Sequence, residues 1–332
     1  MAARRRGKKK SGRSYAWRYR GRIVACVFVE VIIICALVIM IGWNKGVKEW
    51  FEQFEQPVLK EVDISGINSP NAILMQVRGG KILGEINGEA QIYPASMTKI
   101  MTVILGIENF DDLDEKITLT NEMFSGLYEQ DATQAGFQPG EEVRVIDLLY
   151  GAMLPSGAEC CIALADTISG SEADFAELMN KKARKLGMEN THFCDSTGLH
   201  NPDHYSTVKD IAVLMKYCIK NDTFREIVET SRHSTGVTNI HPDGITYYST
   251  MFKNLSDPTV TGGKILGGKT GYTSEAGHCL VSFAVIEGRE YIFVSAGASG
   301  ADGNTIPHIQ DAVTVYNRVG AAIEEKMNDN NK

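Results

Sequence analysis

The sequence predicts an α+β domain: one antiparallel sheet flanked by helices, with an all-helical lobe beside it. Three observations lead there. Near the start, Ala72–Val77 and Lys81–Ile86 are apolar runs on either side of Arg78-Gly79-Gly80, the pattern of a hairpin. Near the end, Gly277–Glu287 and Glu290–Ala298 alternate around a turn at Gly288-Arg289. Between them, Gly157–Ser169 and Glu172–Leu186 repeat apolar residues with a helical period. The first hairpin buries its face by joining the C-terminal strands in one sheet, which leaves the helical middle as a lobe.

Before the domain lie three accessory segments. Residues 1–22 hold ten Lys/Arg and no acid, a basic tail. Residues 23–43, from Ile23 to Trp43, are apolar except for Glu30, long enough for a helix to cross about 30 Å of hydrocarbon. The basic block before the span keeps the N-terminus cytoplasmic and puts the chain beyond Trp43 outside. A cleaved signal peptide is the rival reading. The length of the span and the lack of a small-x-small site after Met40 favour an uncleaved anchor. Residues 44–61 read as a stalk, 62–327 as the globular domain and 328–332 as a disordered end. From Asn44 onward 24 basic residues face 40 acidic ones, a balance that argues against nucleic acid as a partner.

Within the domain, helix 95–108 comes after the first hairpin. A loop then carries a short strand at Ile117–Thr120, and Pro139–Val143 reads as a tight turn. Helices are expected at Val145–Met153, Gly157–Ser169, Glu172–Leu186, Val208–Lys220 and Thr223–Glu229. Cys194–Tyr205, with Asp195-Ser-Thr-Gly198 and Asn201-Pro-Asp203, is loop. The glycine-rich stretch 262–271 leads into the last strands, and Ile306–Lys326 closes the chain as an amphipathic helix.

The chemistry-bearing stretch is Tyr93–Thr102. Ser96 and Lys99 stand three apart at the start of a helix, so hydroxyl and amine share a face. A serine needs a neighbouring base to become a nucleophile, and a lysine is that base when burial or another cation lowers its pKa. Such a pair is common by chance. A second copy, Ser206-Thr-Val-Lys209, reads as a helix cap. What distinguishes Ser96 is that Ser156-Gly-Ala158 and Lys269-Thr-Gly271 come after it in order, the second at a loop-to-helix junction and the third opening a strand. Cys160, Cys161, Cys194, Cys218 and Cys279 read as small buried apolar residues without a disulfide framework. His200 and His204 are four apart, which raises a zinc peptidase. Pro202 between them forbids the helix that such a pair needs, and no His-Glu-x-x-His occurs, so turn or surface histidines are expected and no metal or cofactor.

Those three motifs resemble the serine D-alanyl-D-alanine carboxypeptidases, the low-molecular-mass penicillin-binding proteins. The likeness extends to Leu154-Pro-Ser-Gly, Cys161-Ile-Ala-Leu-Ala-Asp166, Asn190-Thr-His-Phe193, Ser196-Thr-Gly-Leu199, Tyr205-Ser-Thr207, Gly268–Thr273 and Glu275–Leu280. It covers about residues 64–325. The resemblance implies a β-lactamase/DD-peptidase-like fold, and a peptidoglycan stem peptide ending in D-Ala-D-Ala as substrate, with β-lactams as inhibitors. It implies that Ser96 is acylated, that Lys99 is its base, and that Ser156 bridges Lys99 and Lys269 and protonates the leaving D-alanine. Lys269 and Thr270 would meet the substrate carboxylate, Gly271 would admit it closely, and the backbone N–H groups of Ser96 and Tyr272 would hold the oxyanion. Two departures stand out. Ala158, with Glu159 next to it, takes the place of the family's usual Asn. The chain also ends after its closing helix, so the N-terminal span would replace the C-terminal anchor of many relatives. A β-lactamase, a DD-endopeptidase and a weakly active or non-catalytic penicillin-binding protein of the same fold remain as alternatives.

Overall fold

The computed structural model describes residues 59–300 and 306–330, together with Val31. The chain divides into two units, 1–57 and 58–332. The expected basic tail, the membrane span and the stalk to residue 58 lie outside the described residues, Val31 excepted, as do residues 331–332.

The two ends of the second unit meet as the hydrophobic pattern requires. Strands β1 (Asn71–Gln76) and β2 (Lys81–Ile86) form the hairpin, with Gly79 and Gly80 at positive φ in the turn. From the C-terminal part come β7 (Thr259–Val260), β8 (Gly263–Thr273), β9 (Gly277–Ile286) and β10 (Arg289–Ala298). The sheet order is β2-β1-β10-β9-β8-β7, and β1 pairs antiparallel with β10 from Asn71↔Ala296 to Gln76↔Tyr291. The glycine-rich 262–271 is thus not a lead-in but mostly strand. At Gly267 and Gly268 a Cβ would come within 2.2 Å of Val228 O and 2.4 Å of Val281 O, so the glycines permit close packing instead of breaking the strand.

The helices are α1 (Lys99–Asn109), α2 (Val145–Met153), α3 (Ala158–Ser169), α4 (Glu172–Leu186), α5 (Val208–Cys218), α6 (Asp222–Glu229), α7 (Thr250–Asn254) and α8 (Pro307–Asn330). One core gathers α1 to α6 against one side of the sheet, around Ile100, Leu148, Leu164 and Ile211. A second lies under α8, around Leu74, Leu280, Phe293 and Val315. Leu59 is buried in it, so the packed body begins before Val62, and α8 continues past the expected end at 327.

Several expectations shift locally. The N-cap of α5 is Thr207, whose side chain accepts from Asp210 N, while Ser206 pairs with Ile92 in an isolated bridge. The turn 139–143 runs into β4 (Glu142–Arg144), which pairs with β3 (Lys116–Thr118). A further strand pair, β5 (Arg232–Ser234) with β6 (Thr246–Tyr248), is too short to show a period in sequence.

Candidate active site

Ser96 lies in a single 3-10 turn, Ala95–Thr98, that runs directly into α1. The helix expected from residue 95 opens with this tighter turn, and Ala95 in it holds φ at +46°. That is left-handed backbone, costing a residue with a Cβ on the order of 1–3 kcal/mol. Packing holds it in place. Gly198, itself at φ +80°, sits so near that a Cβ there would lie 1.9 Å from the Ala95 carbonyl oxygen.

Lys99 is 3 % exposed. Its Nζ donates to Ser96 Oγ at 3.0 Å and to the Thr197 carbonyl at 2.7 Å. Burial pulls its pKa below the usual lysine range, toward a neutral amine. The loop that offers the Thr197 carbonyl is itself pinned. Asp195 Oδ1 accepts from the N–H groups of Thr197 and Gly198, and Oδ2 lies 3.1 Å from His204 Nδ1. His204 Nε2 in turn lies 2.9 Å from Thr98 Oγ1, in the turn that carries Ser96. Burial would raise the Asp195 carboxyl, but the His204 bond and charge and the Thr197 bonds outweigh it and hold the group at about 2. His204 is therefore not a surface or turn histidine; it is buried and ties two loops together. The only sign of this in the sequence was the turn-forming Asp195-Ser-Thr-Gly198.

Ser156 also has left-handed backbone, at φ +73°, just before α3. Its Oγ accepts from Lys269 Nζ at 3.0 Å, and Lys269 also donates to its neighbour Thr270 O at 2.8 Å. Lys269 is 1 % exposed. Burial, and then the charge of Lys99, push its pKa well below the usual range. Each lysine thus holds one serine, and Lys99 acts on Lys269 through space. The Lys269-Thr-Gly271 triplet sits in the second half of β8 and does not open it. At Gly271 the strand meets the serine turn, and a Cβ would lie 3.0 Å from Ser96 N.

A cavity of about 360 Å³ is lined by Ser96, Ser156, Thr270, Gly271 and Tyr272, with Asp131, Thr133, Thr250, His278 and His308 among the others. Tyr272 is 60 % exposed at its edge. Thr250, from the short α7, was not foreseen; its hydroxyl is 2.7 Å from that of Thr270. A larger open depression, about 810 Å³ and lined by Asn109, Asp174, Lys181 and His192, contains none of the motif residues.

Ala158 is enclosed and donates its N–H to Thr133 O. Glu159 does not reach the cavity in its stead. It is fully buried, and its Oε1 accepts from the N–H groups of Ala135 and Gly136 at 2.6 and 2.9 Å. Among the described residues the five cysteines are all free: Cys194 is partly exposed, and Cys160, Cys161, Cys218 and Cys279 are buried. His200 packs edge-on against Tyr93, apart from the His204 pair with Asp195. Among the described residues no group of three His, Cys, Asp or Glu is placed to hold a metal.

A model of the D-alanyl-D-alanine carboxypeptidase family matches residues 58–300. The chain is 35 % identical over 231 residues to D-alanyl-D-alanine carboxypeptidase DacF of Bacillus subtilis, covering 69 % of this chain and 57 % of that protein. It thus spans a little over half the length of that relative. It is 33 % identical over 262 residues to D-alanyl-D-alanine carboxypeptidase DacC of Escherichia coli, covering 71 % of this chain and 58 % of that one. The crystal structure of a Streptomyces DD-transpeptidase superposes with a TM-score of 0.70 at 28 % identity, over 79 % of this chain and 100 % of that one.

Proposed function

This chain belongs to the D-alanyl-D-alanine carboxypeptidase family, and from that membership we propose that it is a serine DD-carboxypeptidase acting on peptidoglycan stem peptides. Lys99, its pKa lowered by burial, takes the proton from Ser96 Oγ as that oxygen attacks the carbonyl of the terminal D-Ala-D-Ala bond. The developing oxyanion is met by the backbone N–H groups of Ser96 and Tyr272, which Gly271 allows to converge. Ser156, bonded to Lys269, delivers a proton to the departing D-alanine nitrogen. Water then cleaves the acyl-enzyme. A β-lactam, which mimics the dipeptide, acylates Ser96 in the same way.

The observation that carries this reading is an enclosed amine 3.0 Å from the Ser96 hydroxyl. Incubating the protein with a pentapeptide ending in D-Ala-D-Ala should release free D-alanine, and Ser96→Ala should abolish both that release and labelling by a fluorescent penicillin. Labelling without any release would favour a second reading, that of a penicillin-binding protein of little hydrolytic activity. Ala158 supports that alternative, because neither it nor Glu159 offers the cavity a side-chain amide.

The basic tail and apolar span support an N-terminal anchor in a bacterial membrane, with the catalytic unit on the outer side. Among the described residues no helix is long and apolar enough to cross a membrane, and the span itself lies outside them except for Val31.

A further inference from the structure

Two histidines line the cavity and have no part in the chemistry above. His278 of β9 stands across the register from Tyr272 of β8, and His308 is the second residue of α8. Their rings stack in parallel, 5.0 Å apart and 4° from coplanar, and the Tyr272 ring is 4.7 Å from His278. Thr270 and Tyr272, two apart on β8, share a face of the sheet opposite to that of Lys269. The Thr250–Thr270 hydroxyl pair and the histidine pair therefore line one cavity from one face.

The substrate proposed above ends in a free carboxylate, and this inference rests on that reading. The family resemblance assigns Lys269 and Thr270 to the carboxylate, but Lys269, the only cation of the two, is enclosed, bonded to Ser156 and has its pKa pushed down by burial. Among the described residues that line the cavity, His278 and His308 are the only basic side chains. His308 is 4 % exposed and its Nδ1 is buried without a hydrogen-bond partner. The first turn of α8 has no acidic side chain among its described residues, and a helix start favours an anion.

Two carboxylates lie nearby, and the charge of Asp311 raises the pKa of His308 against the larger effects of burial and His278. Asp311, one turn along α8, accepts from Asn68 and Ser69. Asp131, on the cavity wall, is solvent-exposed. Burial, and then His278, push His308 down to about 4, and burial lowers His278 too, so the empty pair is neutral near pH 7.

We propose that the stacked His278–His308 pair, with the Thr250 and Thr270 hydroxyls, is the subsite for the C-terminal carboxylate of the substrate. The pair takes up a proton from solvent as the carboxylate arrives and gives it up when D-alanine leaves. Acid-terminated and amide-terminated D-Ala-D-Ala peptides, assayed on the full chain, test this. The wild type should prefer the acid. In His308→Gln and His278→Phe the KM for the acid should rise about tenfold, the size of a lost charge-assisted bond, with a much smaller change in kcat. The preference for acid over amide should shrink by the same factor.

The unmodified protein provides a check free of folding effects: its KM for the acid should fall as the pH is lowered from about 7 to about 5, where the free pair is still neutral and binding takes up a proton, while that for the amide stays flat. An unchanged acid-to-amide ratio in variants that keep the wild-type melting transition overturns the subsite, as does a KM for the acid that ignores pH. In either case D-alanine release by the wild type shows that the carboxypeptidase reading survives; no release and no penicillin labelling would remove both.

Discussion

At the scale of single residues, the proposed mechanism turns on Lys99, an amine whose pKa burial lowers. Lys99→Arg tests this without removing charge or bulk, because a guanidinium is never neutral in a protein. Acylation of Ser96 by a labelled penicillin should fall by about 10²- to 10⁴-fold, the usual weight of a general base. In the wild type that rate should climb with pH through the lowered lysine pKa and level off below the ordinary lysine range, since only the neutral amine accepts the proton. Glu159 poses the opposite case. Burial outweighs its backbone bonds and raises its carboxyl pKa. The folded state thus keeps a proton that the unfolded chain sheds above about pH 4.3, and stability falls as pH rises through that window. Glu159→Gln, which cannot ionise, should gain on the wild type in urea unfolding between about pH 4 and about pH 7. Glu159→Ala should lose about 2 kcal/mol at both, because it strands the N–H groups of Ala135 and Gly136. Of these residues the sequence singled out Ser96 and Lys99, less by their spacing than by the Ser156 and Lys269 triplets that come after them in order. The role of Glu159 was hidden, because its partners are backbone atoms of a loop more than twenty positions away.

At the scale of elements, the long periodic segments were legible, as were the short β3, α2 and α6, while β4 to β7 and α7 were not. The first hairpin emerges from two apolar runs around a Gly-Gly turn, and α3, α4 and the closing helix from apolar period. The misreadings have a common cause. At 95–98 and 263–273 tertiary contacts overrule local preference: a 3-10 turn held by Gly198, and a strand whose glycines make room for Val228 and Val281. The same contacts predict a sensitive position without chemistry of its own, Gly198. In Gly198→Ala the new methyl group would enter the Ala95 carbonyl, and a φ of +80° is strained for alanine as well. The serine turn must shift. A displacement near 1 Å costs on the order of a hundredfold in rate, so penicillin labelling should slow by about that factor while Lys99 and Ser156 stay in place chemically. Labelling at the wild-type rate would show that the turn does not depend on this contact.

At the scale of the whole molecule, the site exists only because distant segments converge. Ser156 and Lys269 are 113 positions apart, and β1 must find β10 before the sheet that carries Lys269 is complete. Everything that this convergence needs lies in the unit 58–332: both cores, the six-stranded sheet and the three motifs. Residues 1–57 form a separate unit whose sequence reads as tail, span and stalk. If their task is attachment, removing them should change where the protein is found and not what it does. The full chain, made in a bacterial host, should sediment with membranes through high salt and come free only in detergent, as a 21-residue apolar span demands. The chain lacking 1–57 should appear in the soluble fraction, with melting temperature and penicillin labelling within about twofold of the full chain, because a separate unit adds little to the stability of the other. A full chain recovered soluble with its N-terminus beyond Trp43 would mean that the span is a signal peptide. A truncated chain that unfolds would mean that the first unit carries part of the core.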